Sequence, residues 1–135
     1  MSTSIRMHKD DRNRIEHKLA PIAYTIDASG RTMGRVAAEA ASALLGKKSV
    51  HFLKTKVLPI TVTIINAKKL KVTEKRLAEK KYRHYTGHVA GLREVSLPVL
   101  IEKKGIGEAI RKAVDGMIPR NKLRKERMKR LTIID

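Results

Sequence analysis

The chain has 135 residues, and its 31 Lys and Arg against 13 Asp and Glu leave a formal net charge of +18. So large a positive excess on one small domain favours a phosphate-rich polyanion as the partner. Cysteine is absent and aromatic residues make up only 3%, which excludes disulfides, thiolate zinc sites and a cysteine nucleophile and leaves too few rings for serial base stacking.

The first predicted elements are an arm, a strand and a helix. Residues 1–21 are polar and charged without apolar periodicity, which predicts an extended basic arm. The β-branched and apolar content of residues 22–27 predicts a strand, where the single domain of residues 22–135 begins. A glycine turn then leads into a helix from about Thr32 to Leu45, and Gly46 is placed to end it with a left-handed cap.

The middle of the chain predicts a second strand and several shorter elements. Residues 61–66 form a nearly continuous β-branched run, which is typical of a parallel strand, so the order strand, helix, strand predicts a βαβ unit and an α/β fold. Residues 69–73 alternate charged and apolar residues, which predicts a further strand. A short charged helix is expected from about Glu74 to Lys81, and an irregular loop at residues 82–92.

Two helices are predicted next. Ser96 is a suitable N-cap for the first helix, which Gly105 and Gly107 are expected to end. The second helix has apolar residues at helical spacing until Gly116 and Pro119 stop it. A basic segment then leads to a final apolar run at residues 131–134.

The turn between the first strand and the helix suggests an anion site, because free N–H groups at a helix N-terminus attract anions. Its glycines do not follow the G-x-G-x-x-G spacing, and no G-K-[ST] occurs. We therefore expect Gly30 to adopt a positive φ and Gly34 to let the helix approach the sheet, with Arg31 and Arg35 meeting phosphate from outside. A small nucleotide-dependent enzyme remains the alternative.

The sequence gives little evidence for metal binding or for catalysis. His84 and His88 are four residues apart, but Gly87 lies between them and no third ligand stands nearby. The chain has no G-x-S-x-G motif, and its carboxylates are scattered among lysines. We expect no enzyme activity, no metal, no cofactor and no small-molecule substrate.

Basic residues form two clusters along the chain. The first cluster comprises Lys68, Lys69, Lys71, Lys75, Arg76, Lys80, Lys81 and Arg83. The second cluster comprises Arg111, Lys112, Arg120, Lys122, Arg124, Lys125, Arg127, Lys129 and Arg130. Because the segment after Pro119 has little to bury, we expect phosphates to order it and the second cluster to matter more for binding. A DNA-binding protein is a further alternative, but the segment lacks residues set to read base edges.

These considerations give a set of candidate RNA-binding residues with cationic or hydrogen-bonding side chains. The set is Arg31, Arg35, Lys47, Lys48, Lys80, Lys81, Arg83, His84, Arg120, Lys122, Arg124, Lys125, Arg127, Lys129 and Arg130. No run of about 18 apolar residues occurs, and the start lacks the apolar stretch of a signal peptide, so we expect a cytoplasmic protein without membrane contact.

Four further motifs occur along the chain, at residues 24–37 (YTIDASGRTMGRVA), 64–73 (with IINA and VT), 85–92 (YTGHVAGL) and 116–123 (GMIPRNKL). In this order they resemble the bacterial form of the ribosomal protein L13 family. The chain departs from the family pattern at Ala23, residues 54–59, Glu74, residues 88–90 and Arg124.

The resemblance implies a three-layer α/β/α fold with a four-stranded, mostly parallel sheet, to which the basic arm and the basic C-terminal segment are added. It also implies a structural role in the large ribosomal subunit and in its early assembly. The implied partners are large-subunit ribosomal RNA and neighbouring ribosomal proteins.

Overall fold

A computed structural model describes residues 20–135, so most of the predicted N-terminal arm lies outside the described residues. The strands are β1 (Ile22–Asp27), β2 (Ile60–Ile65), β3 (Lys81–Tyr85), β4 (Leu92–Ser96) and β5 (Leu131–Ile133). The helices are α1 (Met33–Leu45), α2 (Glu74–Glu79), α3 (Leu97–Lys104), α4 (Ile106–Met117) and α5 (Arg124–Lys129), with a short 3-10 helix at Ala67–Lys69.

The main sheet is parallel, and β2 lies between β1 and β5. Because side chains alternate across a strand, Ile60, Val62 and Ile64 all point to one face, and all three are buried. Helix α1 packs on β1 and β2 and also against α4. The predicted βαβ unit and the α/β class are confirmed.

The opposite face of this sheet carries small and polar side chains. Ala23 and Thr25 of β1, Thr61 of β2 and Thr132 of β5 are all exposed there. Within residues 20–135 the parallel sheet has three strands, and β3 and β4 form a separate hairpin. The expected four-stranded sheet is therefore not found in the described part of the chain, and neither is a second covering layer.

The strand predicted at residues 69–73 is wrong. Asn66 adopts a left-handed conformation (φ 57°) and the 3-10 helix follows it, so the chain turns away from β2. A single parallel bridge remains between Thr32 and Lys71. The backbone N–H of Lys71 donates to the carbonyl oxygen of Arg31 at 3.0 Å.

The irregular loop predicted at residues 82–92 is wrong at both ends, where residues 82–85 belong to β3 and Leu92 begins β4. Antiparallel pairing aligns Tyr82 with Val95 and Tyr85 with Leu92. Only the tip between β3 and β4 lacks pairing, and Gly87 there has φ 88°. Charged residues on both strands hid the alternation that predicts a hairpin.

The two glycines around α1 have different roles. Gly46 ends the helix in a left-handed conformation (φ 81°), as predicted, and a Cβ there would lie 2.6 Å from a methyl carbon of Leu58. At Gly34 a Cβ would meet nothing within 4 Å, so the predicted close approach is wrong. Gly30 has the expected positive φ (66°).

Helices α3 and α4 lie close to their predicted positions. Gly105 separates them, and Pro98 lies in the first turn of α3. Gly107 and Gly116 lie inside α4 and do not end it, because glycine weakens a helix without breaking it. A Cβ at Gly107 would lie 3.4 Å from the side chain of Ile133, which is close to ordinary van der Waals contact.

Candidate nucleic-acid interface

Six residues of the second cluster line an open cleft of about 820 Å³ between α4 and α5, which we call the second-cluster cleft. Helix α4 ends at Met117, an irregular turn follows, and α5 begins at Arg124. The cleft is lined by Arg111 and Asp115 of α4, by Arg120, Asn121 and Lys122 of the turn, and by Arg124, Lys125, Met128 and Lys129 of α5. Basic residues distant in the chain thus face one another.

One cation of this cleft is already engaged. Nε and Nη2 of the Arg124 guanidinium both donate to the Asp115 carboxylate, and the Arg124 side chain is 28% exposed. A bidentate pair of this kind fixes the guanidinium plane. The exposed cations Arg120, Lys122, Lys125 and Lys129 are therefore the ones best placed for an external anion.

The expectation that this segment has no core to hold it is wrong. Arg127, which we expected on the RNA-facing surface, is only 2% exposed. Its Nη2 donates to the carbonyl oxygens of Lys54 (3.4 Å) and Lys56 (3.1 Å), and its buried Nε has no hydrogen-bond partner in the part of the chain that the structure describes. Nη1 of Arg130 donates to the carbonyl oxygen of Leu58 at 2.6 Å. Both arginines face inward.

A signal for this burial is present in the sequence. Arg127 is four residues from Leu123 and four from Leu131, and both leucines are apolar. Residues at that spacing share a face where the chain is helical, which holds for Leu123 and Arg127, whereas Leu131 begins β5. Apolar residues on both sides at this spacing indicate an interior position, which a count of positive charges does not reveal.

A second basic groove of about 290 Å³ lies between the hairpin, α3 and α4, and we call it the hairpin groove. Its lining consists of Tyr82, Arg83, His84, Arg93, Val95, Leu100, Lys103, Lys104 and Lys112. No carboxylate is among these residues. The sequence did not indicate Arg93, Lys103 and Lys104 as candidates. Arg93 reaches the groove through its pairing with His84, and Lys103 and Lys104 reach it because α3 lies beside the hairpin.

Tyr82 organises lysines at this groove. The ammonium groups of Lys80 and Lys112 lie 5.3 and 5.4 Å from its ring centroid, within the range of cation–π attraction. Partial burial raises the pKa of the Tyr82 hydroxyl, so it stays protonated at neutral pH. Lys81 and Arg83 instead pair with Glu94, at 3.6 and 2.6 Å.

Two carboxylates flank the turn before α1: Asp27 ends β1, and Glu39 lies in α1 and binds Arg31 of the turn. Glu39 accepts from Arg31 (2.8 Å) and from Lys48 (3.2 Å), and these hydrogen bonds lower its pKa. The Asp27 carboxylate accepts from the backbone N–H of Ser29 at 2.9 Å, which lowers its pKa. Arg35 and Lys47 are exposed.

These carboxylates bear on the nucleotide alternative. A phosphate placed at this turn would meet the ionised Asp27 and Glu39 at close range, and like charges repel. Arg31 is already paired with Glu39. The arrangement therefore disfavours a nucleotide site at the start of α1.

Metal sites and membrane spans are absent from the described part of the chain. Among residues 20–135, no group of three His, Cys, Asp or Glu is arranged to hold a metal ion, so His84 and His88 have no third ligand there. None of the helices described in this structure has both the length and the apolar character needed to cross a membrane.

Exposed cations that line open grooves on an α/β fold are the features expected of the class of polyanion-binding proteins. The family model described as "Ribosomal protein L13" matches residues 22–135. The chain belongs to the ribosomal protein L13 family, whose members are structural proteins and not enzymes. The resemblance seen in the four motifs is confirmed.

Several curated relatives carry the name "Large ribosomal subunit protein uL13". The protein of Clostridioides difficile is 42% identical over 110 residues, which cover 82% of this chain and 76% of the relative. That of Geobacter sulfurreducens is 40% identical with the same coverage. That of Chlamydia trachomatis is 36% identical over 132 residues, or 98% of this chain and 83% of the relative.

Proposed function

We propose that this chain is a structural constituent of the large ribosomal subunit that binds large-subunit ribosomal RNA and supports early subunit assembly. The observation that carries the proposal is the gathering of exposed cations in two open grooves on a member of the L13 family. The place of action is the cytoplasmic ribosome, where neighbouring large-subunit proteins are further partners.

The mechanism is neutralisation of phosphates by the second-cluster cleft and the hairpin groove. Arg120, Lys122, Lys125 and Lys129 provide flexible, exposed cations at the cleft. Each phosphate that they neutralise releases bound counterions, so binding weakens as salt rises. The α/β core holds these cations at fixed separations, and folded RNA of matching shape is bound in preference to an extended strand.

A pair of charge-matched variants tests this assignment. One variant changes Arg120, Lys122 and Lys125 to Gln, and the control changes Lys68, Lys71 and Lys75 to Gln. Both remove three positive charges from exposed positions. We expect the first variant to bind purified large-subunit ribosomal RNA more weakly, and the salt slope of its binding to be shallower by about one for each phosphate that it no longer neutralises.

Incorporation into large subunits, followed on sucrose gradients at fixed salt, gives the second measurement. A greater reduction in the control variant would place the RNA-facing surface on the other side of the molecule. Binding that does not depend on salt would contradict the phosphate mechanism, and competition by ATP would favour the nucleotide alternative.

A further inference from the structure

The side chain of Arg127 is buried without a carboxylate partner among residues 20–135. Within residues 20–135 its guanidinium donates to backbone carbonyl oxygens alone, those of Lys54 and Lys56, and its Nε finds no partner there. Burying a guanidinium costs free energy that carbonyl dipoles only partly return. A gain in stability alone does not explain the burial of Arg127. A role in fixing the geometry of the neighbouring backbone explains this burial better.

The segment that Arg127 holds is the loop from residue 46 to residue 59, between α1 and β2. Arg127 and Arg130 together bind the carbonyl oxygens of Lys54, Lys56 and Leu58, three positions in its second half. The two ends of the loop meet in the tight contact between Gly46 and Leu58. Without these contacts an irregular loop of this length would have little to fix it.

All the charged residues of this loop are basic. It contains four lysines, at positions 47, 48, 54 and 56, together with His51, and it has no Asp or Glu. The residue Lys54 is exposed although its carbonyl oxygen is bound by Arg127. The fixed backbone thus presents this ammonium group outward.

The loop lies beside the second-cluster cleft. Lys125 and Lys129 of α5 line that cleft, whereas Glu126 and Arg130 line a cavity of about 250 Å³ shared with loop residues 55–59. Helix α5 therefore lies between the second-cluster cleft and the cavity that the loop lines, and Lys56, Glu126 and Arg130 are the charged residues of that cavity.

We propose that the loop at residues 46–59 is a further part of the RNA-contacting surface, in which Lys54 meets an RNA phosphate and Arg127 acts as the positioning residue. This inference rests on the proposed function above, because it extends the same interface. Arg127 itself touches no RNA. Its effect on binding passes through the loop.

A double-mutant cycle with the full chain and purified large-subunit ribosomal RNA tests the coupling. Lys54→Gln should weaken binding roughly threefold, as expected for one exposed charge. Arg127→Met, which fills the volume but donates no hydrogen bond, should weaken binding at least as much. In the Arg127→Met background, Lys54→Gln should have almost no further effect.

Lys75→Gln serves as the control, because its effect should simply multiply with that of Arg127→Met. The inference is overturned if Lys54→Gln leaves binding unchanged, or if its effect also multiplies with that of Arg127→Met. Either result with normal binding by the unaltered chain leaves the proposed function intact. Failure of the unaltered chain to bind the RNA overturns both.

Limited trypsin digestion reports on the loop without RNA. Arg127→Met should accelerate cleavage after Lys54 and Lys56, relative to cleavage elsewhere, and should lower the melting temperature less than Arg127→Ala, because Met fills the volume. Unchanged cleavage would overturn the positioning role. If Arg127→Met does not fold, Arg127→Lys replaces it in both experiments and should give the same pattern with smaller changes, since the amine retains a donor.

Discussion

Two basic regions of this protein use their arginines in opposite ways. In the α5 region, residues 119–130, Arg127 and Arg130 bind backbone carbonyl oxygens of a neighbouring loop, and Arg124 binds Asp115. In the hairpin region, β3 and β4, Arg83 lies on the surface beside Glu94 with 70% of its side chain exposed.

The difference shows that the number of Lys and Arg residues in a segment does not give the number of cations that are available to bind a ligand. In the α5 region most arginines bind other groups within the fold, and the lysines and Arg120 remain exposed at the surface. In the hairpin region the strands are too thinly packed to bury a guanidinium. Each arginine must therefore be assigned from its partners.

The largest expected difference between the regions is in stability. Arg127→Ala should lower the free energy of unfolding by about 3 kcal/mol, because it leaves a cavity and removes the donor from two carbonyl groups. Arg83→Ala should change it by no more than about 0.5 kcal/mol. Urea unfolding of both variants measures this, and similar changes would contradict the distinction.

A glycine pair sharpens the comparison at the loop that α5 holds. Gly46→Ala should cost about 1 to 3 kcal/mol, since a Cβ would lie 2.6 Å from Leu58 and φ is 81°. Gly34→Ala should instead stabilise by about 0.5 kcal/mol, since α1 has open space there. Thermal unfolding of both variants measures the difference, and equal shifts would remove the special role of Gly46.

The ion pairs of the two regions give a smaller difference. Asp115→Asn should destabilise by about 0.5 to 1 kcal/mol, because Arg124 loses a bidentate and partly shielded partner. It should also strengthen RNA binding, since a carboxylate leaves the cleft. Glu94→Gln should have a smaller effect on stability, because its partners are more exposed. Weaker RNA binding by Asp115→Asn would show that the fixed position of Arg124 matters more than its charge.

The smallest expected effect lies outside both regions and depends on pH. Hydrogen bonds from Arg31 and Lys48 lower the pKa of Glu39 below its usual value of 4.5. The folded state therefore gains stability above pH 4.5 and loses it as the pH falls through the lowered pKa. Glu39→Gln should flatten this acid limb of the stability curve, as measured by unfolding at several pH values. An unchanged acid limb would assign the effect to other carboxylates.

The βαβ unit was predictable because its signals are local. A β-branched run, a stripe of small apolar residues and Gly46 fix β2, α1 and the end of α1 with little help from distant contacts. The failures occur where distant partners decide. No residue near Arg127 in the sequence indicates that its guanidinium binds the carbonyl groups of Lys54 and Lys56, which lie more than half the chain away.

The residues of the candidate site also divide into those that the sequence predicts and those that depend on distant contacts. Exposed residues of the second cluster, such as Lys122 and Lys125, could be named from charge alone, and their contact with RNA stays a prediction. The hairpin groove could not be named, because it depends on the register that aligns His84 with Arg93 and on the approach of Lys103.

The central position of β2 in the sheet has a consequence for synthesis of the chain. One side of β2 can pair with β1 as soon as residues 22–65 are available, but its other side waits for residues 131–133. During that interval the nascent chain carries an apolar strand with an unpaired edge, which is the kind of surface that chaperones bind and that aggregates. Slow translation between β2 and β5 would prolong this exposure and lower the yield of native protein.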